Sequence, residues 1–104
     1  MTTTELLLHA LELAESGTRV TVVGDTAEHA AQMADSAMML FVDSRSVREN
    51  KCCVSVGRAV ITFSPVPKQF DWDTKAVPGM NVTFLLDDRV YETRIAQLES
   101  KKDN

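Results

Sequence analysis

The chain has 104 residues, 44% of them hydrophobic and 25% charged, with only four Gly and three Pro, which describes one folded domain and excludes a disordered or low-complexity segment. No apolar run approaches the ~18 residues that a membrane span needs, and the start Met1-Thr2-Thr3-Thr4-Glu5 lacks the basic residues of a secretory leader, so no membrane partner and a cytoplasmic location are expected. A formal net charge of −4 weighs against nucleic acid as a partner, because displacing phosphate counterions takes a surplus of cations.

Leu6, Leu7, Ala10, Leu11, Leu13 and Ala14 recur at intervals of three and four, with Glu5, Glu12 and Glu15 between them. That spacing predicts an amphipathic helix over residues 4–16, capped by the threonines and stopped at Gly17. Residues 19–23 are β-branched and short, the pattern of a strand. Asp25 is expected to cap a second helix, with Glu28 three residues on in capping-box position. Ala27, Ala30, Ala31, Met33, Ala34, Ala37 and Met38 carry its apolar face to about Leu40. Asp43, Arg45, Arg48, Glu49 and Lys51 mark residues 43–51 as a solvated loop.

Residues 52–56 and 59–63 flank Gly57-Arg58, a hairpin signature, and Pro65 and Pro67 end it because proline cannot donate to a sheet ladder. Phe70, Trp72 and Val77 then sit in an irregular segment that turns at Pro78-Gly79. Residues 81–86 carry no charge and read as a central strand, an interior parallel neighbour of residues 20–23. Asp87-Asp88 introduces a last helix with Val90, Tyr91, Ile95 and Leu98 inward, before a polar tail over residues 101–104. The expectation is a single α/β domain over residues 1–100. It is a small two-layer or three-layer sandwich of about four strands and three helices in the order α-β-α-β-β-β-α.

Few residues suggest chemistry. Adjacent strand residues point to opposite faces, so Cys52 and Cys53 are badly placed to bridge each other or chelate one ion, and one buried and one half-exposed thiol are expected. His9 and His29 have no companion ligand at a zinc spacing and lie on helices away from any motif, so neither a metal nor a cofactor is expected there. Asp87 and Asp88 at a strand end have two readings. One holds Mg²⁺ through a carboxylate; the other has Asp87 capping the last helix and Asp88 favouring its positive end.

Trp72 stands between Asp71 and Asp73, close to Phe70, where a large aromatic either packs on the core edge or anchors a protein partner behind a charged rim. Met33, Met38 and Met39 on the Ala-rich helix suit either core packing or a seam between two copies. Arg45, Arg48, Lys51 and Arg58 are a basic set without interleaved aromatics, which suits a protein-binding loop better than a nucleic-acid surface.

Taken together, the strand over residues 20–23, the segment Ala59-Val60-Ile61-Thr62-Phe63-Ser64, the turn Val77-Pro78-Gly79 and the strand Val82-Thr83-Phe84-Leu85-Leu86-Asp87-Asp88 resemble the core of P-loop NTPases, in particular terminase-like and helicase-like ATPases. In that likeness the last strand corresponds to Walker B, with Asp87 and Asp88 as its acids, and Thr2-Thr3-Thr4-Glu5 is similar to the segment following the phosphate loop. The chain contains no GxxxxGK[ST], so the backbone cradle and the lysine on the β- and γ-phosphates are missing and ordinary nucleotide hydrolysis is not expected. The resemblance implies a hydrolysis-incompetent, phage-type protein without a cofactor that binds another protein, for instance of a bacterial host. Loss of the parent's central strand implies self-association. A Mg²⁺-dependent nucleotide-binding or hydrolytic protein using Asp87 and Asp88 is the first alternative, and a nucleic-acid-binding module through Arg45, Arg48, Lys51 and Arg58 is the second.

Overall fold

In the computed structural model, which describes residues 1–46 and 52–102, helix α1 (Thr3–Glu15) begins where the threonines predict. The Thr2 side chain accepts from the Glu5 N–H while the Glu5 carboxylate returns to the Thr2 N–H, a closed capping box. Its end is a Schellman turn. Gly17 adopts φ 93°, and the amides of Gly17 and Thr18 donate back to the carbonyls of Ala14 and Leu13.

The chain then forms β1 (Val20–Gly24), α2 (Ala27–Leu40), β2 (Ser44–Ser46), β3 (Cys53–Val56), β4 (Ala59–Pro65), β5 (Thr83–Leu86) and α3 (Asp88–Lys102). One mixed sheet takes the order β2-β3-β4-β1-β5. β1 is interior, parallel to β4 on one side and β5 on the other, with Val20 opposite both Ile61 and Thr83. The hairpin β3–β4 and the added strand β2 are antiparallel.

Alternation sorts the sheet into two faces. On the first, Val20, Val22, Val54, Ala59, Ile61 and Phe63 meet Leu6, Leu7 and Ala10 of α1 and Ala30, Met33, Ala34 and Ala37 of α2 in one continuous core. On the second, Val23, Phe84 and Leu86 are covered by Phe70 and Val77 of the β4–β5 connection and by Val90 at the start of α3. The rest of that face is open, and Val60 on β4 is 47% exposed.

The α/β class, the three helices and the element order are as the sequence predicts, with five strands in place of four. Five expectations need correction. β5 is the edge strand and not an interior one, and its apolar residues are buried by the β4–β5 connection and α3 instead of by flanking strands. The loop over residues 43–51 contains β2, three polar residues that join through backbone pairing to β3, while residues 47–51, with Arg48 and Lys51, lie outside the described residues.

Thr26, not Asp25, caps α2 by accepting from the His29 N–H, because the Asp25 carboxylate is committed elsewhere. Ile95 and Leu98 are not inward; they are 55% and 42% exposed, on a helix that outruns the body. Neither thiol is fully buried: Cys52 and Cys53 are both partly exposed.

β1 and α2 touch at one point that tolerates no side chain. A Cβ on Gly24 would stand 2.8 Å from the Ala30 backbone nitrogen and 3.1 Å from Met33 Cε. Gly24→Ala is expected to cost about 1–3 kcal/mol of unfolding free energy, the range for overpacking an interior contact. Urea denaturation of the variant beside the wild type measures it.

Candidate functional site

β1 and β5 run parallel, yet their exits diverge: the chain leaves β1 for α2 on the first face and leaves β5 for α3 on the second. Such divergence opens a crevice at the carboxyl ends of the two strands, the place where open α/β sheets hold their functional groups. Asp25 directly follows β1, and Asp87 directly follows β5.

His29, in the first turn of α2, lies between them and is 6% exposed. Its Nδ1 is 2.8 Å from Asp25 Oδ1 and its Nε2 is 3.7 Å from Asp87 Oδ2. The Asp25 N–H also lies 3.2 Å from Nδ1. Nδ1 accepts from that N–H, and the buried Oδ1 of Asp25, close to the same nitrogen, has no hydrogen-bond donor among the described residues.

The remaining polar groups hold the aspartates from outside. Arg89 Nε is 3.8 Å from Asp25 Oδ2, its side chain more than half exposed. Asp87 caps α3 by accepting from the Arg89 N–H at 3.1 Å, and its other oxygen receives the Thr3 hydroxyl at 3.4 Å, which brings the start of α1 to the same place. Asp88 points outward to the terminal ammonium of Met1 at 3.5 Å. Among the described residues no three His, Cys, Asp or Glu converge in a way that could hold a metal ion. The capping geometry is that of the second reading of the acid pair: Asp87 is committed to protein donors and Asp88 is remote from it in role.

Beside Asp25 a cavity of about 190 Å³ runs between the β4–β5 connection and α3, walled by Val66, Trp72, Val90, Thr93, Arg94 and Gln97. The Trp72 ring meets Phe70 edge-on at 5.1 Å, and Phe70 meets Phe84 edge-on at 5.6 Å, so the three rings form a ladder from the sheet to the surface. The Arg94 guanidinium covers the Trp72 ring at 5.0 Å, and Lys75 lies over Tyr91 at 5.2 Å.

Of the residues singled out from the sequence, Trp72 is half-buried and at the surface, whereas Phe70 is 8% exposed and lies beneath it as core. Asp71 and Asp73 close a turn on themselves, the Asp73 N–H donating to the Asp71 carboxylate at 2.9 Å while the Asp71 and Ala76 backbones bridge. Arg45 is exposed on β2, at the opposite edge of the sheet from β5, so it is not brought to Trp72. Four strand spacings separate β2 from β5, roughly 19 Å.

The expectation that both histidines stand away from any motif fails at His29. Its spacing from Asp25, one helical turn, is visible in the sequence; its approach to Asp87 is a product of the parallel pairing of β1 and β5. Comparison with known protein families, curated proteins and solved structures gives no match.

Because both ring nitrogens face carboxylates, the chemistry this arrangement performs best is mechanical: it ties the ends of two strands to the starts of two helices. Removing the buried imidazole leaves a cavity between the two aspartates, so His29→Ala is expected to lower the unfolding free energy by about 2–5 kcal/mol, the range for truncating a large buried side chain. Chemical denaturation measures the loss, and a double-mutant cycle with Asp25→Asn is expected to show strong non-additivity.

Proposed function

We propose that the chain is a non-catalytic protein-binding module whose contact surface is the ridge formed by Trp72 and the outer half of α3, and that it associates with copies of itself. The observation that carries this reading is the state of Trp72. Its ring is anchored edge-on against Phe70 and capped by Arg94, yet it remains partly exposed beside a helix with uncovered Ile95 and Leu98. A pre-positioned Trp and Arg next to exposed aliphatic residues is the composition of a binding hot spot.

The engagement of Asp87 by Thr3, His29 and the Arg89 N–H favours binding over catalysis, because it leaves that carboxylate already committed. The reading keeps the P-loop likeness of the sequence as its guide to origin: a reduced ATPase-like core carried by a bacteriophage, lacking its phosphate loop and directed at a protein of a bacterial host.

The test is affinity capture from lysate of the source cells with the wild type and Trp72→Ala side by side, followed by titration of the captured protein. Trp72→Ala is expected to weaken binding by about 2 kcal/mol, roughly thirtyfold, while thermal unfolding stays cooperative. Equal binding by the variant, or its unfolding without a separable binding defect, overturns the reading. In a second measurement, ATP with Mg²⁺ is expected to give no saturable change in Trp72 fluorescence and no phosphate release. Release that vanishes in Asp87→Asn would show a catalytic centre in its place.

A further inference from the structure

We infer that the self-association in this reading runs through α3, two copies of which lie side by side and parallel, packing Ile95 and Leu98 against their counterparts and pairing Arg94 of each copy with Glu99 of the other. The inference rests on the Trp72–α3 ridge being a contact surface, and it names a second copy of the chain as the partner there.

The first ground is the helix itself. α3 touches the body through Val90, Tyr91 and the Arg94–Trp72 contact, and from Ile95 to Lys101 every residue is exposed. The molecule measures 50 × 28 × 26 Å. Ile95 and Leu98 thus form an apolar stripe that the body does not cover, and helices in proteins owe most of their stability to a packed face.

The second ground is the pattern on that helix. Tyr91, Ile95 and Leu98 step by four and then three, the spacing of a coiled-coil seam, in which Tyr91 and Leu98 take d positions and Ile95 an a position. Arg94 and Lys101 then occupy the g positions, and Glu92 and Glu99 the e positions. One flank of the seam is basic and the other acidic.

That polarity decides the direction of pairing. In a parallel pair a g residue faces the e residue five positions further along the other helix, which sets Arg94 against Glu99 of the second copy, twice by symmetry. In an antiparallel pair like positions meet, and Arg94 approaches Lys101 while Glu92 approaches Glu99, so like charges oppose each other. The Arg94 guanidinium lies over the Trp72 ring at 5.0 Å, a contact that holds this side chain on the basic flank of the seam. Trp72 is thereby a positioning residue for the pair. The seam is short, well below the ~1,200 Å² of a standard interface, so the association is weak.

Sedimentation equilibrium tests this with the full chain. The wild type is expected to rise above its 11.5 kDa monomer mass as the concentration approaches ~1 mM, and Ile95→Glu with Leu98→Glu, both at exposed positions, to remain monomeric with unchanged thermal unfolding. Arg94→Glu alone and Glu99→Arg alone are each expected to weaken self-association at least tenfold, and an equimolar mixture of the two to restore it as a heterodimer. Strengthening by Arg94→Glu alone would mean antiparallel pairing and overturn the inference. A wild type that associates with no response to these substitutions would place the seam elsewhere and overturn it too. A wild type monomeric at every concentration overturns the inference together with the self-association in the functional reading, leaving host-protein binding through Trp72 to be judged by its own variant.

Discussion

A buried imidazole set between the buried carboxylate of Asp87 and the half-buried one of Asp25 is the constraint on which the rest of this molecule depends. Polar groups taken out of water are tolerated only when they have partners, and here each aspartate has several neighbours: His29 beside both, Arg89 near Asp25, the α3 amide and the Thr3 hydroxyl for Asp87. These groups come from α1, α2, α3 and the ends of two strands, so satisfying them fixes five elements at one end of the sheet. The arrangement also moves the α2 cap to Thr26, since Asp25 cannot serve both the helix and the imidazole.

The second organising feature is the unequal covering of the sheet. Two amphipathic helices seal the first face, whereas the second is sealed only over β1 and β5 by an irregular connection and a single helical turn. This explains how an edge strand can be as apolar as a central one: Phe84 and Leu86 face a layer of Phe70, Val77 and Val90. It also explains the polar alternation of the hairpin, where Cys53, Ser55 and Thr62 share the open side with Val60.

Local signals in the sequence were legible where the physics is local. The cap that the threonines give α1, the stop at Gly17, the hairpin around Gly57 and the extent of α2 all follow from interactions within a few residues. What periodicity hides is the identity of the other side. The stripe of Tyr91, Ile95 and Leu98 predicts an apolar face on α3 but not that the body ends before Ile95, and the absence of charge over residues 81–86 predicts burial but not whether strands or loops supply it. β2 escapes reading because its three polar residues carry no apolar pattern and join the sheet through backbone pairing. At the candidate site, Asp25 and His29 form a local pair one turn apart, while Asp87 is 58 residues further on than His29 and reaches it only because β1 and β5 pair.

The clamp and the ridge are mechanically one unit. Asp87 receives His29 with the same carboxylate that caps α3, so the direction in which α3 leaves the sheet is set at the buried end of the helix. That direction carries Arg94 over the Trp72 ring and fixes the width of the cavity between them. Trp72 in turn rests on Phe70 and Phe84, which pack on the strand that delivers Asp87. A closed loop of contacts thus runs from the imidazole through α3 to Arg94, across to Trp72, and down the aromatic ladder to β5. Packing and exposure at Trp72 are consequently compatible: its contacts with Phe70 and Arg94 hold this loop shut, and the part of the ring they leave uncovered is held still at the surface, where a rigid aromatic loses little entropy on meeting a partner.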